Sequence, residues 1–423
     1  MTELVNTRII FHIDVNSAFL SWEAAYRINI LHETSDLRDI PSAVGGDIEK
    51  RKGIILAKST PAKKYNIQTG EPVVSALTKC PNLVIVPPNY SLYVKCSNAF
   101  ISILKEYTPV VEQYSIDEAY MDMTGTQGLY GSPVTIAHII KDRIYKELGF
   151  TVNIGISSNK LLAKMAGDFK KPNLVHTLFP EEIEEKMWPL NVGDLFFVGR
   201  ATERQLKRLG INTIGKLAKA DLNLLKSHFK KHGEIIYQYA NGIDPMKVIH
   251  ETIPNKGYGN STTIPYDVAS AESAKLVLLS LCETVCTRLR ADQVKTGCIA
   301  VTIVDTFFEY SSHQRTLMSA THVTTEVYEN ACRVFDELWD KKTPIRQLGI
   351  HTSKISKGDT YQYNMFDRFK YDKYEKLDKA IDTIREKYGE DSIMRAPFLS
   401  SKLDHMAGGI SKEKRTGITK GCV

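Results

Sequence analysis

Residues 110–123 read VVEQYSIDEAYMDM, and this stretch decides the fold. Apolar and polar residues alternate along it as in two strands around a tight bend. Asp117 and Glu118 stand in its middle, pressed between Ile116 and Ala119. A second short apolar strand, RIIFHIDV from Arg8 to Val15, carries Asp14 at its C-terminal end. A carboxylate drawn toward a core needs a partner, and a divalent cation neutralises several at once. Oxygen ligands suit Mg²⁺ or Mn²⁺. Two such ions about 3.5–4 Å apart activate a hydroxyl and stabilise the leaving oxygen in phosphoryl transfer. Two unrelated strand-end acids would give the same pattern, because short acidic motifs also match by chance.

Working outward, Phe19 to Ile28 reads as a helix, and AVGGDIEKRKGIILA (43–57) as two strands joined by a turn at Gly45-Gly46-Asp47. Leu83–Val86 is a short strand and Tyr90–Tyr107 a helix. Thr135–Leu148 (helix), Thr151–Ile156 (strand) and Lys160–Asp168 (helix) follow. This alternation predicts an α+β, mixed-sheet domain ending near Pro180. Glu181–Asn241 reads as helical throughout, with glycine-marked turns at Gly199, Gly210 and Gly215, and Asn241–Gly259 as a linker. A second α/β unit is predicted from a helix at Ser270–Arg290, strands at Ile299–Val304 and Phe307–Leu317, a helix at Thr325–Trp339 and a strand at Ile345–Ile355. After Ser356 comes a polar tail with one apolar motif, YQYNMFD (361–367), and one amphipathic helix, Tyr371–Tyr388.

The 423 residues exceed one compact core, so two to four domains are expected. No run of about 18 apolar residues occurs, so nothing is expected to span a membrane. The N-terminus lacks the pattern of a signal peptide. The seven cysteines form no C-x-x-C pair, which predicts reduced, mostly buried thiols in a cytoplasmic protein. Net charge is +6, and its distribution says more than its size. From Leu190 to His232 nine Lys/Arg stand against three acids. That excess suits a phosphate backbone, although a solvated basic face would look the same.

Several segments together resemble the Y family of DNA polymerases, the enzymes that copy past damaged bases. HIDVNSAFLSWE (12–23) is similar to the family's first catalytic motif, and SIDEAYMDM (115–123) is nearly a literal match to the second. GIILAKSTPAKKYNI looks like the fingers motif, IGISSNKLLAKMAGDFKKPN like the palm segment ending in Lys-Pro-Asn, and VGRATERQLKRLGINTIGKLA like the thumb's helix-hairpin-helix. IRQLGIHTSKI looks like the last strand of the little finger. The resemblance implies a right-hand polymerase: palm at 1–36 and 83–180, fingers at 37–82, helical thumb at 181–241, linker at 242–259, α/β little finger at 260–355, and a C-terminal tail at 356–423. The Asp-Val-Asn of motif one leans toward the polymerase V type, the overall layout toward polymerase IV.

The same resemblance implies that Asp14, Asp117, Glu118 and the main-chain carbonyl of Val15 hold two Mg²⁺ ions, with Mn²⁺ as a substitute. Phe19, five residues after Asp14, takes the position of the steric gate that blocks a ribose 2′-OH. Triphosphate contacts fall to Lys171, Lys63 and Thr60. Lys63 stands where the family has arginine and Thr60 where it has tyrosine, so the clasp is altered, because lysine is a point charge without arginine's fork. Lys58 and Lys64 stand near enough to help, and Leu56 falls over the nascent base pair. In the thumb, Phe197 replaces the first glycine of the hairpin loop. Gly199, with Arg200 and Lys207, is left to meet DNA phosphates.

Gln362, Met365 and Phe366 resemble the peptide by which bacterial polymerases bind the sliding clamp (β clamp). The expected partners are therefore primer–template DNA, dNTP and the clamp, for a bacterial, nucleoid-associated monomer that performs low-fidelity translesion synthesis. Two other readings compete. Gly45-Gly46-Asp47-Ile48-Glu49 superficially resembles a nucleotide cyclase signature, although a turn is a sufficient reason for Gly-Gly-Asp. A non-catalytic DNA-binding scaffold would not need all three carboxylates.

Overall fold

The computed structural model describes residues 8–47, 53–251, 254–357, 368–401 and 403–407. It divides into two compact units, Met1–Gly45 with Ile55–Thr252 and Gly46–Ile54 with Ile253–Val423.

The first unit is built on a five-stranded sheet, ordered β5-β6-β1-β7-β8. These strands are β1 (Ile10–Val15), β5 (Val111–Gln113), β6 (Glu118–Asp122), β7 (Val152–Ser157) and β8 (Val175–Thr177). β1 lies at the centre, antiparallel to β6 and β7, and every one of its residues is buried. Strand side chains alternate between faces. Phe11, Ile13 and Val15 thus enter a core made with Trp22, Phe100, Leu104, Ile140 and Ile144, from the helices Ala18–Asn29, Tyr90–Lys105 and Pro133–Leu148. Ile10 points the other way and packs with Tyr120 and Ala163. By the same alternation His12 and Asp14 belong to that second face, where the helix Lys160–Asp168 lies.

Gly155 sets how closely that helix approaches. A Cβ there would come 1.9 Å from the Ala163 carbonyl oxygen and 2.4 Å from the Gly167 nitrogen, so only glycine lets the helix rest on β7. Asn159 caps the helix through a bond to the Leu162 N–H at 2.8 Å.

A smaller sheet, β3-β2-β4, comprises β2 (Ser42–Gly45), β3 (Ile55–Lys58) and β4 (Val84–Val86). β2 and β3 pair antiparallel as two adjacent strands, but the turn expected at Gly45-Gly46-Asp47 is displaced, because Gly45 pairs with Ile55 inside the ladder and the Gly46 N–H still donates to the Ile54 carbonyl at 3.1 Å. The helical stretch 181–241 packs Leu206, Ile214, Leu217, Leu225 and Ile236 into one core with Leu161, Leu162 and Met165 of the helix Lys160–Asp168. Gly215 is no turn: it sits inside the helix Ile214–Ala218. A Cβ there would lie 2.9 Å from that of Trp188, so glycine admits the tryptophan.

The second unit carries a four-stranded antiparallel sheet, β11-β10-β12-β9: β9 (Tyr258–Val268), β10 (Lys295–Asp305), β11 (Tyr310–Thr321) and β12 (Ile345–Ser356). The helices Ala271–Ala291 and Thr324–Leu338 supply its core with Val277, Leu281, Val285, Val334 and Phe335. β9 is an edge strand that the sequence did not signal. Only Tyr258, Ile264 and Val268 are buried in it, so apolar alternation is missing, and its first two residues come out of the expected linker. Phe307 and Phe308 leave the strand predicted for them. The Asp305 carboxylate accepts the Phe307 and Glu309 N–H groups at 2.8 and 2.9 Å and folds a hairpin turn there.

The amphipathic helix expected at Tyr371–Tyr388 is present, and it begins at Arg368. The helix Arg368–Tyr388 and the residues following it pack on this unit. Arg290 binds Asp378 at 3.2 Å and Asp382 at 2.5 Å. Glu283, 2% exposed, accepts from Arg385 at 2.7 Å and Arg395 at 2.5 Å. The Ala407 N–H donates to Ser280 Oγ. Charged residues spaced along a helix read as solvated in sequence, but their partners lie about a hundred residues away. Among the described residues no helix is long and apolar enough to cross a membrane.

Candidate active site

One cleft of about 390 Å³ opens at the C-terminal end of β1. It is lined by Asp14, Val15, Ser17, Ala18 and Phe19 from the end of β1 onward, by Leu56, Ala57, Lys58, Lys63 and Thr69, and by Asp117, whereas Glu118 and Lys171 are not among its lining residues. The sheet brings the acids together. Asp14 pairs with Glu118 in the β1–β6 register, and the Val15 N–H donates to the Asp117 carbonyl at 3.0 Å. The bend between β5 and β6 is held by Ser115, whose hydroxyl donates to Asp117 Oδ1 at 2.6 Å and accepts the Glu118 N–H at 3.0 Å.

Each acid has its own electrostatic setting. Asp14 is 8% exposed, and burial pushes its carboxyl above the ordinary range despite the Lys171 ammonium ion-paired to it. Lys171 also reaches Asp168 at 2.9 Å, and its pKa is raised: burial opposes this and the two carboxylates outweigh burial. Burial would likewise raise Glu118, but His12 and Lys164 hold it down to about 2. Lys164 Nζ is 3.0 Å from Glu118 Oε2, and His12 Nε2 is 3.6 Å away. His12 itself is lowered, chiefly by burial.

The residues fit a hard divalent cation by donor type: three carboxylates and a strand-end carbonyl, all oxygen. Asp14 fits it further, being a buried carboxylate that already draws a cation onto itself. Among the described residues no three acidic, histidine or cysteine side chains are already gathered around one point. Lysines occupy the positions of the counter-charge instead.

Phe19 bounds the cleft as a braced ring. It stacks on Tyr93 at 4.6 Å with planes 9° apart, meets Tyr90 edge-on at 6.1 Å and lies 5.9 Å from Trp22. Lys58 and Lys63 both line the cleft, and burial and the neighbouring Lys63 charge lower the Lys58 pKa. Thr60 is exposed at the start of the helix Thr60–Lys63, apart from the residues that line the cleft. Gly199 caps the helix Arg200–Arg208, whose Arg200 is exposed, whereas Lys207 is tied to Glu203 at 2.7 Å. Phe197 adopts φ 79°, the left-handed conformation usually left to glycine. Gln362, Met365 and Phe366 lie outside the described residues.

Sequence reasoning missed His12 and Lys164. Their signal was present, since a histidine inside an apolar strand and a lysine on the buried face of a helix both need a partner, but nothing in the sequence says which.

Residues 13–168 match the profile of the impB/mucB/samB family, 255–365 that family's C-terminal domain, and 193–244 the DNA polymerase-iota thumb domain. The chain is 45% identical over 397 residues to DNA polymerase IV of Clostridium acetobutylicum, covering 94% of this chain and 99% of that one. It is 37% identical over 406 residues to DNA polymerase IV 2 of Bacillus subtilis, covering 94% and 96%. Among solved structures, a Y-family DNA polymerase chimera superposes with a TM-score of 0.71 at 22% identity, over 83% of this chain and 100% of the other. With relatives this similar along nearly its whole length, the chain belongs to the Y family of translesion DNA polymerases and is a DNA-directed DNA polymerase.

Proposed function

We propose that the chain adds deoxynucleotides to a primer 3′-hydroxyl at this cleft, with Asp14, Asp117, Glu118 and the Val15 carbonyl as the ligands of two Mg²⁺ ions that Mn²⁺ can replace. The observation that carries the reading is that Asp14 and Asp117 open into the same cleft as Phe19, Lys58 and Lys63. Carboxylates, an aromatic ring and lysines lining one cleft are what a metal-bound deoxynucleoside triphosphate requires. When bound, the ions lower the pKa of the attacking hydroxyl and neutralise the phosphates.

The chain's own residues do the rest. Lys63 and Lys58 receive the triphosphate, and Lys171 joins them once the phosphates compete with Asp14 for its ammonium. Thr60, outside the cleft lining, assists with a shorter reach than the tyrosine of the family would have. Phe19 holds its ring where a 2′-hydroxyl would stand and so favours deoxyribose. Leu56 and Ala57 bear on the nascent base pair, and fit against these two side chains gives modest discrimination and low fidelity. Gly199, Arg200 and Lys207 take DNA phosphates, with Lys207 exchanging Glu203 for the backbone. Gln362, Met365 and Phe366 recruit the sliding clamp. The enzyme works as a monomer at the bacterial nucleoid.

The test is extension of a labelled primer on a DNA template with Mg²⁺ and each dNTP, beside Asp14→Ala. Template-directed addition by the wild type, reduced by at least about 10³-fold in the variant, is the expected result. A folded wild type that binds primer–template and never extends it, with or without the clamp, overturns the reading.

A further inference from the structure

The palm segment contains a lysine that the mechanism above does not use. Lys164 is 9% exposed on the helix Lys160–Asp168, in a turn whose every residue is buried. Its ammonium lies 3.0 Å from Glu118 Oε2, 5.9 Å from the centre of the Tyr114 ring and 5.5 Å from that of Phe196. Both ring distances are within reach of a cation–π contact. A buried ammonium is costly unless its partners are in place, so this charge is held for a reason.

That reason lies in Glu118. The strand fixes its backbone, and Tyr114 and Ser115 both donate N–H bonds to its carbonyl. Its side chain has three further torsions. Among the described residues they are restrained at two points, the 3.0 Å bond from Lys164 and the longer 3.6 Å approach of His12, and both fall on Oε2. Oε1 is thereby left for another cation. Lys164 is fixed in turn by the approach of its helix to Gly155, and the next residue, Met165, accepts the Phe196 N–H at 3.4 Å on its sulfur. One helical turn thus holds both the catalytic carboxylate and the aromatic that leads into the thumb loop.

We propose that Lys164 is a positioning residue: from inside the palm it orients Glu118 so that one carboxylate oxygen is presented to the metal site. This rests on the reading of Glu118 as a metal ligand. Partners of ligating groups behave this way elsewhere, and their removal costs about 10–100-fold in metal affinity or activity.

The experiment titrates Mn²⁺ into the full-length protein without DNA or nucleotide, reading free Mn²⁺ by electron paramagnetic resonance, and measures single-nucleotide insertion alongside. The proteins are wild type, Lys164→Met, Lys164→Gln, Glu118→Gln and the double variant Lys164→Met/Glu118→Gln. Positioning predicts that Lys164→Met weakens Mn²⁺ binding and lowers kcat, each by about 10–100-fold, with KM for dNTP little changed. Lys164→Gln, which still donates to Oε2, falls between and serves if the methionine variant does not melt cooperatively. In the Glu118→Gln background the Lys164 substitution has no further effect. Loss of a nearby positive charge alone would tighten Mn²⁺ binding, so unchanged or tighter binding with retained kcat overturns the inference. Unchanged Mn²⁺ binding in Glu118→Gln itself overturns the ligand reading beneath it.

Discussion

Lys171 forms an ion pair with Asp14 across 157 residues of sequence, tying the end of the palm segment to the end of the central strand. The lysine expected to meet the triphosphate thus rests on the carboxylate expected to hold a metal. Lys171→Met is predicted to raise KM for dNTP by about 10–100-fold, the worth of one charge-assisted contact. It should also tighten Mn²⁺ binding in the absence of nucleotide, because Asp14 loses its resident cation. Steady-state insertion and a Mn²⁺ titration check the two halves, and weaker Mn²⁺ binding would show that Lys171 supports the site rather than competes for it.

The bracing of Phe19 by Tyr93, Tyr90 and Trp22 leads to a second prediction. A ring stacked on a fully buried tyrosine does not swing aside, so discrimination against a 2′-hydroxyl is steric. Phe19→Ala should raise ribonucleotide insertion relative to deoxynucleotide insertion on the order of 100-fold. Tyr93→Ala should relax the same selectivity in part while leaving Phe19 in the chain. Competition between matched rNTP and dNTP reads both, and an unchanged ratio in Phe19→Ala would remove the gate.

The buried Glu283 ties the helix Ala271–Ala291 to Arg385 and Arg395. Burial favours the neutral acid, yet Arg395 and Arg385 outweigh it and hold the carboxyl below its usual range. Glu283→Ala leaves two arginines facing an empty site and should cost about 3–5 kcal/mol. A carboxylate with a lowered pKa contributes stability that is full above its unfolded pKa, near 4.5, and is lost as pH falls through the folded value. The gap in melting temperature between wild type and Glu283→Gln should therefore narrow below about pH 4.5. Asp378, pushed up by burial, acts in the opposite direction. Calorimetry across pH 3–7 measures the net effect, and a gap independent of pH would contradict it.

A fourth prediction concerns YQYNMFD. Met365→Ala combined with Phe366→Ala should weaken clamp affinity by about 2 kcal/mol or more, roughly 30-fold, as expected for paired apolar anchors. Distributive single-nucleotide insertion without the clamp should be unaffected. Processive synthesis with the clamp loaded separates the outcomes, and full stimulation of the double variant would exclude the motif as the contact.

The sequence by itself determined much of this protein. Alternation along 110–123 and the apolar run of Arg8–Val15 specify strands, and period two puts Asp14 on a different face from Ile13. Helices with caps and regular apolar spacing, such as Lys160–Asp168, were legible to the residue. Catalytic motifs in a fixed order pointed to the family because several coincidences in one chain are improbable. What the tertiary structure decided was every pairing at long range. β9 carries too few buried residues to announce itself, and Phe307 was lifted out of its strand by one aspartate two residues earlier. The ionic face of the helix Arg368–Tyr388 looks solvated until Arg290 and Glu283 come to meet it. Lys164 and Lys171 read as two basic residues seven apart, yet one seats against Glu118 and the other against Asp14. The physical reason is common to all of these: local propensity depends on neighbours within a few residues, whereas the partner of a buried charge is chosen by the fold that buries it.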